Sequence, residues 1–183
     1  MNSSSNIISN SDMTDYYNGI ANGYDELYRN EQLLKLKFIE NKIHSISILK
    51  EFYNPKYKML DVGCGTGVST SYFKFEESYG VDPSKELVKV AIKNYPKINF
   101  LIAPAEFIPF KDNNFDLIIS LTAIQNFSDI EKGLLEIKRL SNKYVLTFLK
   151  KSPKRELIES LIEKHFHIIK KFEEDKDMIY FCE

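Results

Sequence analysis

Residues 59–67 read MLDVGCGTG, a short apolar run that ends in three glycines at alternate positions. The chain has 7 glycines among 183 residues and places three of them here. An apolar run closed by a glycine turn predicts a buried strand. Its chain then enters a loop where the backbone turns tightly or comes close to a ligand. The flanking sequence says which fold this strand belongs to.

Before the run, residues 30–47 are amphipathic, with Leu36, Ile39, Ile43 and Ile46 at helical spacing. The run itself, "YKMLDV" (57–62), is the first strand, and residues 68–73 begin a helix. "ESYGVD" (77–82) predicts a second strand. A helix over 83–95 follows, with Ser84 as a plausible N-cap. Strands are predicted at 98–103, 115–121 and 143–149, with a helix over 129–140. Ser152-Pro153 reads as the start of another helix that runs to about 164. The end of the chain, "FHIIKKF" (166–172), an acidic turn (173–177) and "MIYFC" (178–182), predicts a hairpin. Five strands alternate with helices and a terminal strand pair follows. This order predicts a three-layer α/β fold, with a mostly parallel seven-stranded sheet and an antiparallel C-terminal hairpin. In such sheets ligands bind beyond the carboxyl ends of the strands, and the glycine loop sits there.

The bulk properties exclude several classes. At 43% hydrophobic and 28% charged residues, the chain is expected to be globular rather than disordered. A net charge of -1 argues against a protein that coats nucleic acid by overall charge. Two cysteines, Cys64 and Cys182, are too few for a disulfide scaffold, and His44, His165 and His167 offer no metal-binding spacing. No metal site is expected. No apolar run approaches the ~20 residues of a membrane helix, and the first residues do not read as a signal peptide. A cytoplasmic monomer or small oligomer is the expectation. It would comprise a flexible tail over 1–13 and one domain over 14–183 that includes an N-terminal helical lid.

The glycine spacing separates two ligand classes. A dinucleotide fingerprint, Gly-x-Gly-x-x-Gly, needs a third glycine at 68, where this chain has Val68; the glycine falls at 67 instead. Asp61 precedes the loop and Asp82 closes the second strand, where an acid suits the hydroxyls of a ribose. No lysine lies in the loop to meet a phosphate. A carboxylate at its entry suits an ammonium or sulfonium better than a pyrophosphate. The plain alternative for Asp61 and Asp82 is the capping of strand ends.

These residues resemble the class I S-adenosylmethionine-dependent methyltransferases. "LDVGCGTG" is similar to that family's first motif and "GVDPS" (80–84) to its second. "PAEFIPFKDNNFDLIIS" (104–120) resembles the stretch that leads into its fourth strand. "YYNGIANGYDELY" (16–28) looks like the aromatic N-terminal segment of the ubiquinone/menaquinone-biosynthesis branch. The resemblance implies a Rossmann-like methyltransferase fold with S-adenosylmethionine as cofactor and S-adenosylhomocysteine as product. It further implies that Gly63, Gly65 and Gly67 let the backbone pass close to the cofactor. Asp61 would bind the methionine ammonium through water, Asp82 the ribose hydroxyls, and Pro83 would lie against the adenine. Ala105 and Glu106 would meet the adenine edge and Leu121 the methionine end. One departure is Pro104, which stands where the family often has an aspartate.

The acceptor is not legible. Thr122, Gln125 and Asn126 follow the fourth strand as candidate substrate-lining residues. The related branch often has histidines at the positions of Gln125 and Asn126, and an amide cannot take a proton at neutral pH. No catalytic base is nominated. Tyr17 and Tyr24 are candidates for an aromatic lid over a sulfonium, or for simple helix packing. Residues 138–155 carry Lys138, Arg139, Lys143, Lys150, Lys151, Lys154 and Arg155 with no acid. That stretch fits an anionic acceptor such as RNA, or a solvated helix start. A small molecule, RNA or protein acceptor, with or without an accessory protein subunit, remains open. So do a non-catalytic cofactor-binding module and, against the glycine spacing, an NAD-binding oxidoreductase.

Overall fold

The computed structural model describes residues 10–20 and 23–183, with side chains described over 15–20, at 23 and from 28 onward. Two helices open the described chain, α1 (Asn10–Ile20) and α2 (Tyr24–Ser45), followed by a short 3-10 helix, Ser47–Phe52. Then come β1 (Lys58–Val62), α3 (Val68–Tyr72), β2 (Glu77–Asp82), α4 (Lys85–Asn94), β3 (Asn99–Ile102) and β4 (Leu117–Ser120). The chain ends with α5 (Ile130–Leu140), β5 (Tyr144–Leu149), α6 (Arg155–His165), β6 (Ile168–Glu173) and β7 (Asp177–Cys182). The strands form one seven-stranded sheet in the order β3-β2-β1-β4-β5-β7-β6. The pairs among β1 to β5 are parallel, and β7 pairs antiparallel with both β5 and β6.

Period-two alternation divides the strand residues between two faces. On β4, Leu117 and Ile119 pack with Leu36, Ile39 and Ile43 of α2, while Ile118 packs with Leu134 and Ile137 of α5. On β7, Ile179 and Phe181 join the first face, and Met178, Tyr180 and Cys182 join the second. All six residues of β7 are buried, which is why its last five, 178–182, read as continuously apolar.

Among the bounds that differ from expectation, three stand out. The amphipathic helix begins at Tyr24 rather than near residue 30, because its polar first turns hide the period. The expected tail over 1–13 overlaps α1, which starts at Asn10; Ser and Asn mark helix starts as readily as tails. Residues 1–9 lie outside the described residues. The acidic turn over 173–177 is shorter than expected. Glu173 ends β6, and Asp177 opens β7 with no exposed surface.

Of the two caps expected from the sequence, Ser84 forms and Ser152 does not. Ser84 Oγ accepts from the Leu87 N–H at 3.2 Å, and Asp129 Oδ1 accepts from the Lys132 N–H at 3.0 Å. Ser152 does not cap α6 directly; its Oγ accepts from the Lys154 N–H at 3.2 Å, in a turn ahead of the helix.

Candidate active site

The glycine loop leaves the end of β1 and enters α3. The Gly63 N–H donates to the Val81 carbonyl at 2.8 Å, and the Cys64 N–H donates to the same oxygen at 3.1 Å. The alternate glycines are alternate left-handed residues, with φ of +79° at Gly63, +53° at Gly65 and +83° at Gly67. A Cβ at Gly63 would stand 2.3 Å from Ala123 Cβ, so this position is closed by crowding as well as by its backbone angle. At Gly67 the crowding lies elsewhere, against Phe100 and Tyr95. Cys64 is buried between these parts, and burial raises its thiol well above the usual range, so it fills space rather than reacts.

Two carboxylates frame the loop. Asp82 Oδ2 accepts from the Gly65 N–H at 2.9 Å and Oδ1 from the Ser84 N–H at 2.8 Å, which ties the loop to the end of β2. Asp61 lies beneath the loop, fully buried. Its Oδ2 accepts from Ser69 Oγ at 2.5 Å and from Thr70 Oγ1 at 2.8 Å, and its Oδ1 has no partner. Burial pushes both carboxyls up to about 6, against the hydrogen bonds that pull them down.

A cavity of about 260 Å³ runs along the carboxyl ends of the strands. Gly63, Gly65, Asp82, Pro83, Ala105 and Glu106 line one part of it, and Leu121, Thr122, Gln125 and Asn126 another. Tyr17 covers it from α1, whereas Tyr24 has a side chain outside the described residues. Asp61 and Gly67 do not line it. Asp61 reaches the wall only through Ser69, which does. Glu106 is partly committed, since its Oε1 accepts from the Asp129 N–H at 2.9 Å. Helix α1 is fastened across the mouth at two points. Asn126 Nδ2 donates to the Tyr17 hydroxyl at 3.0 Å, and Asn18 Oδ1 accepts from Ser84 Oγ at 2.7 Å.

The main residues that sequence reading misses are Lys35 and Asp177. Lys35 lines the cavity, only 3% exposed, and its ammonium is 2.8 Å from Asp177, which has no exposure at all. Thr122 joins them: its Oγ1 accepts from Lys35 and donates to Asp177 Oδ1 at 2.9 Å. The Thr122 N–H donates to Thr147 Oγ1 at 2.8 Å and to the Thr147 carbonyl at 3.1 Å. One signal was present, since Lys35 adjoins the buried stripe of α2 at Leu36 and Ile39. Asp177 gave none, being the last of a run of charged turn residues.

Three of the seven basic residues over 138–155 are ion-paired. Arg139 meets Asp112 and Glu136, Arg155 meets Glu159 and Glu173, and Lys150 lies 3.9 Å from Glu173. Lys154 donates to the Gln125 carbonyl at 2.9 Å. His165 Nε2 lies 2.8 Å from Glu131, and no cluster among the described residues is suited to a metal ion. No helix of the described residues is long and apolar enough to cross a membrane.

Comparison with known proteins agrees with this geometry. Residues 60–144 match the family described as a methyltransferase domain. The uncharacterised protein MJ1252 of Methanocaldococcus jannaschii is 34% identical over 126 residues, covering 69% of this chain and 46% of that one. The ubiquinone/menaquinone biosynthesis C-methyltransferase UbiE of Geotalea daltonii is 34% identical over 136 residues, covering 68% and 56%. The chain spans about half the length of the curated relatives it matches. Among solved structures, magnesium protoporphyrin IX methyltransferase of Synechocystis, with bound S-adenosylmethionine, shares the fold at a TM-score of 0.75. It is 15% identical, covering 100% of this chain and 99% of that one.

Proposed function

Because the chain carries a domain of the S-adenosylmethionine-dependent methyltransferase family, we propose that it transfers a methyl group from S-adenosylmethionine to a small-molecule acceptor. The carrying observation is Asp82, a carboxylate fixed on the cavity wall by the loop N–H of Gly65. The donor set fits the cofactor. Each Asp82 oxygen keeps a lone pair for a ribose hydroxyl. Pro83, Leu87 and Ala105 give an apolar wall for a purine. The bare backbone at Gly63 and Gly65 allows close approach. Ser69, hydrogen-bonded to Asp61, brings the effect of that buried carboxylate to the wall, in the place we assign to the methionine ammonium.

When bound, the cofactor supplies an electrophilic methyl on a sulfonium, so the protein has mainly to orient an acceptor and exclude water. Tyr17 and α1 exclude water by spanning the mouth, and the Tyr17 ring suits a cationic neighbour. A small acceptor is favoured over RNA because the cavity holds only about 260 Å³ and α1 is fastened across its mouth. An accessory subunit is the second partner reading. It is supported by Phe107, 72% exposed, and Ile102, 54% exposed, beside the outer edge of β3.

Titration calorimetry should show S-adenosylhomocysteine binding and no NAD binding. Asp82→Ala should weaken the former by about tenfold to a hundredfold, the scale of hydrogen bonds to a charged group. Methyl-labelled S-adenosylmethionine incubated with cell extract should label the small-molecule fraction. Label in RNA alone would overturn the acceptor class, and label that appears only with a co-purified protein would favour the accessory subunit.

A further inference from the structure

The cavity divides along β4. On one side lie β1, β2 and β3, with the glycine loop and Asp82. On the other lie the ends of β5 and β7, where Leu149 pairs with Asp177, and above them Lys35 of α2. We propose that this second side is the acceptor subsite. It takes a neutral molecule that offers a carbonyl or hydroxyl oxygen to Lys35 and, beside it, an N–H or O–H to Gln125. The inference rests on the methyltransferase reading above.

Three observations carry it. First, the charge is already balanced. Lys35 and Asp177 form a buried pair at 2.8 Å with Thr122 bridging them, so an incoming anion would be an uncompensated charge away from water. On the rim, Lys150 and Arg155 both lie 3.9 Å from Glu173. Second, an ammonium has three N–H donors; Thr122 takes one, and Asp177 Oδ2 lies 2.8 Å away as an ion-pair partner without a hydrogen bond of its own. Lys35 lines the cavity with at least one donor left for a neutral oxygen. Third, Gln125 is fixed with its Nε2 donating to the Thr122 carbonyl at 2.6 Å, while its Oε1 is buried without a partner. A buried carbonyl left unpaired costs about 1–3 kcal/mol, which a donor on the acceptor would recover.

The backbone supports the same reading. Thr122 has a φ of +57°, rare for a β-branched residue, and Thr147 holds it there through two hydrogen bonds to its N–H. That conformation places the Thr122 hydroxyl between Lys35 and Asp177 while its carbonyl holds Gln125. Strain of this kind concentrates at functional sites.

The test uses the full chain loaded with S-adenosylhomocysteine and three probes of one size: benzamide, benzoate and toluene. Calorimetry and ligand-observed NMR read their affinities. Benzamide, with a carbonyl beside an N–H, should bind about tenfold more tightly than the other two, the equivalent of one net hydrogen bond. Gln125→Leu, and Lys35→Met combined with Asp177→Asn, should each lower benzamide affinity about tenfold and leave S-adenosylhomocysteine affinity within about threefold. If the double variant does not fold, Gln125→Leu carries the comparison. Benzoate binding as tightly as benzamide, or no probe binding, or benzamide affinity indifferent to the variants, overturns the proposal. A parallel loss of S-adenosylhomocysteine affinity in the double variant also overturns it, because Lys35 would then serve the methyl donor. Absence of S-adenosylhomocysteine binding by the unmodified chain would remove the methyltransferase reading itself.

Discussion

The two sides of the cavity are built by opposite means. The side over β1 and β2 is local in sequence and mostly backbone: Gly63 and Gly65 in one loop, and Asp82 some twenty residues on, joined by N–H groups. The side over β4, β5 and β7 is long-range and made of side chains, with Lys35, Thr147 and Asp177 drawn from three elements and Thr122 from the loop after β4. Backbone geometry suits a ligand that does not vary. Side-chain chemistry suits one that differs between enzymes of the same fold. The contrast predicts different kinds of damage on the two sides.

The largest effect on cofactor binding is expected at Gly63. Gly63→Ala puts a Cβ 2.3 Å from Ala123 Cβ on a backbone at φ +79°. The left-handed angle alone costs a non-glycine residue on the order of 1–2 kcal/mol, and the contact with Ala123 adds to it. The loop must move off Asp82 or push back the segment after β4. Calorimetry should therefore show S-adenosylhomocysteine affinity lowered by about a hundredfold or more, with the sheet still folded by circular dichroism. Affinity within about threefold of the unmodified chain would mean that the loop is not shaped for close approach.

On the other side the damage should fall on stability. Lys35→Met leaves Asp177 charged, fully buried and without its ammonium, which typically costs about 3–5 kcal/mol. Adding Asp177→Asn removes the stranded charge and should restore most of that loss in urea unfolding, a coupling that two independent surface residues would not show. If the two single variants add without coupling, the pair is not the unit described, and the contrast between the two sides weakens.

The same contrast explains what the sequence reveals. The strand order, the hairpin and the glycine loop are legible because each is encoded by neighbouring residues: apolar runs, turn residues and a cap such as Ser84. Asp82 is legible because it closes a strand at a fixed distance from the glycines. Lys35 and Asp177 are not, because nothing local distinguishes a buried charge from a solvated one. Lys35 lies in a helix rich in lysine, and Asp177 follows Glu173, Glu174 and Asp175. Only the sheet order, with β7 inserted beside β5, brings Asp177 under α2. Gly67 shows a subtler limit. Its spacing groups it with the other two glycines, yet its crowding is against Phe100 and Tyr95, away from the cavity.

Asp61 sharpens the comparison with the smallest effect. Burial pushes its carboxyl up to about 6, above the value near 3.9 of an unfolded aspartate. Between those values the folded chain holds a proton that the unfolded chain has released. Asp61 therefore weakens the fold increasingly as pH rises through this window, and fully so above about 6. A shift of this size amounts to about 2–3 kcal/mol. Asp61→Asn removes the titration, so the stability of the unmodified chain relative to the variant should fall by roughly that amount between pH 4 and pH 7 and then level off. Urea unfolding at four pH values measures it, and a difference that stays flat with pH would mean the carboxyl is not held neutral by burial. Asp82, raised by the same cause, acts with the same sign. An ammonium brought to Ser69 favours the ionised form of Asp61. S-adenosylhomocysteine affinity should therefore rise as pH climbs through about 6, in the direction that costs the fold stability. The destabilised carboxylate is then a local cost that cofactor binding offsets, whereas the charges on the other side, Lys35 and Asp177, already balance each other.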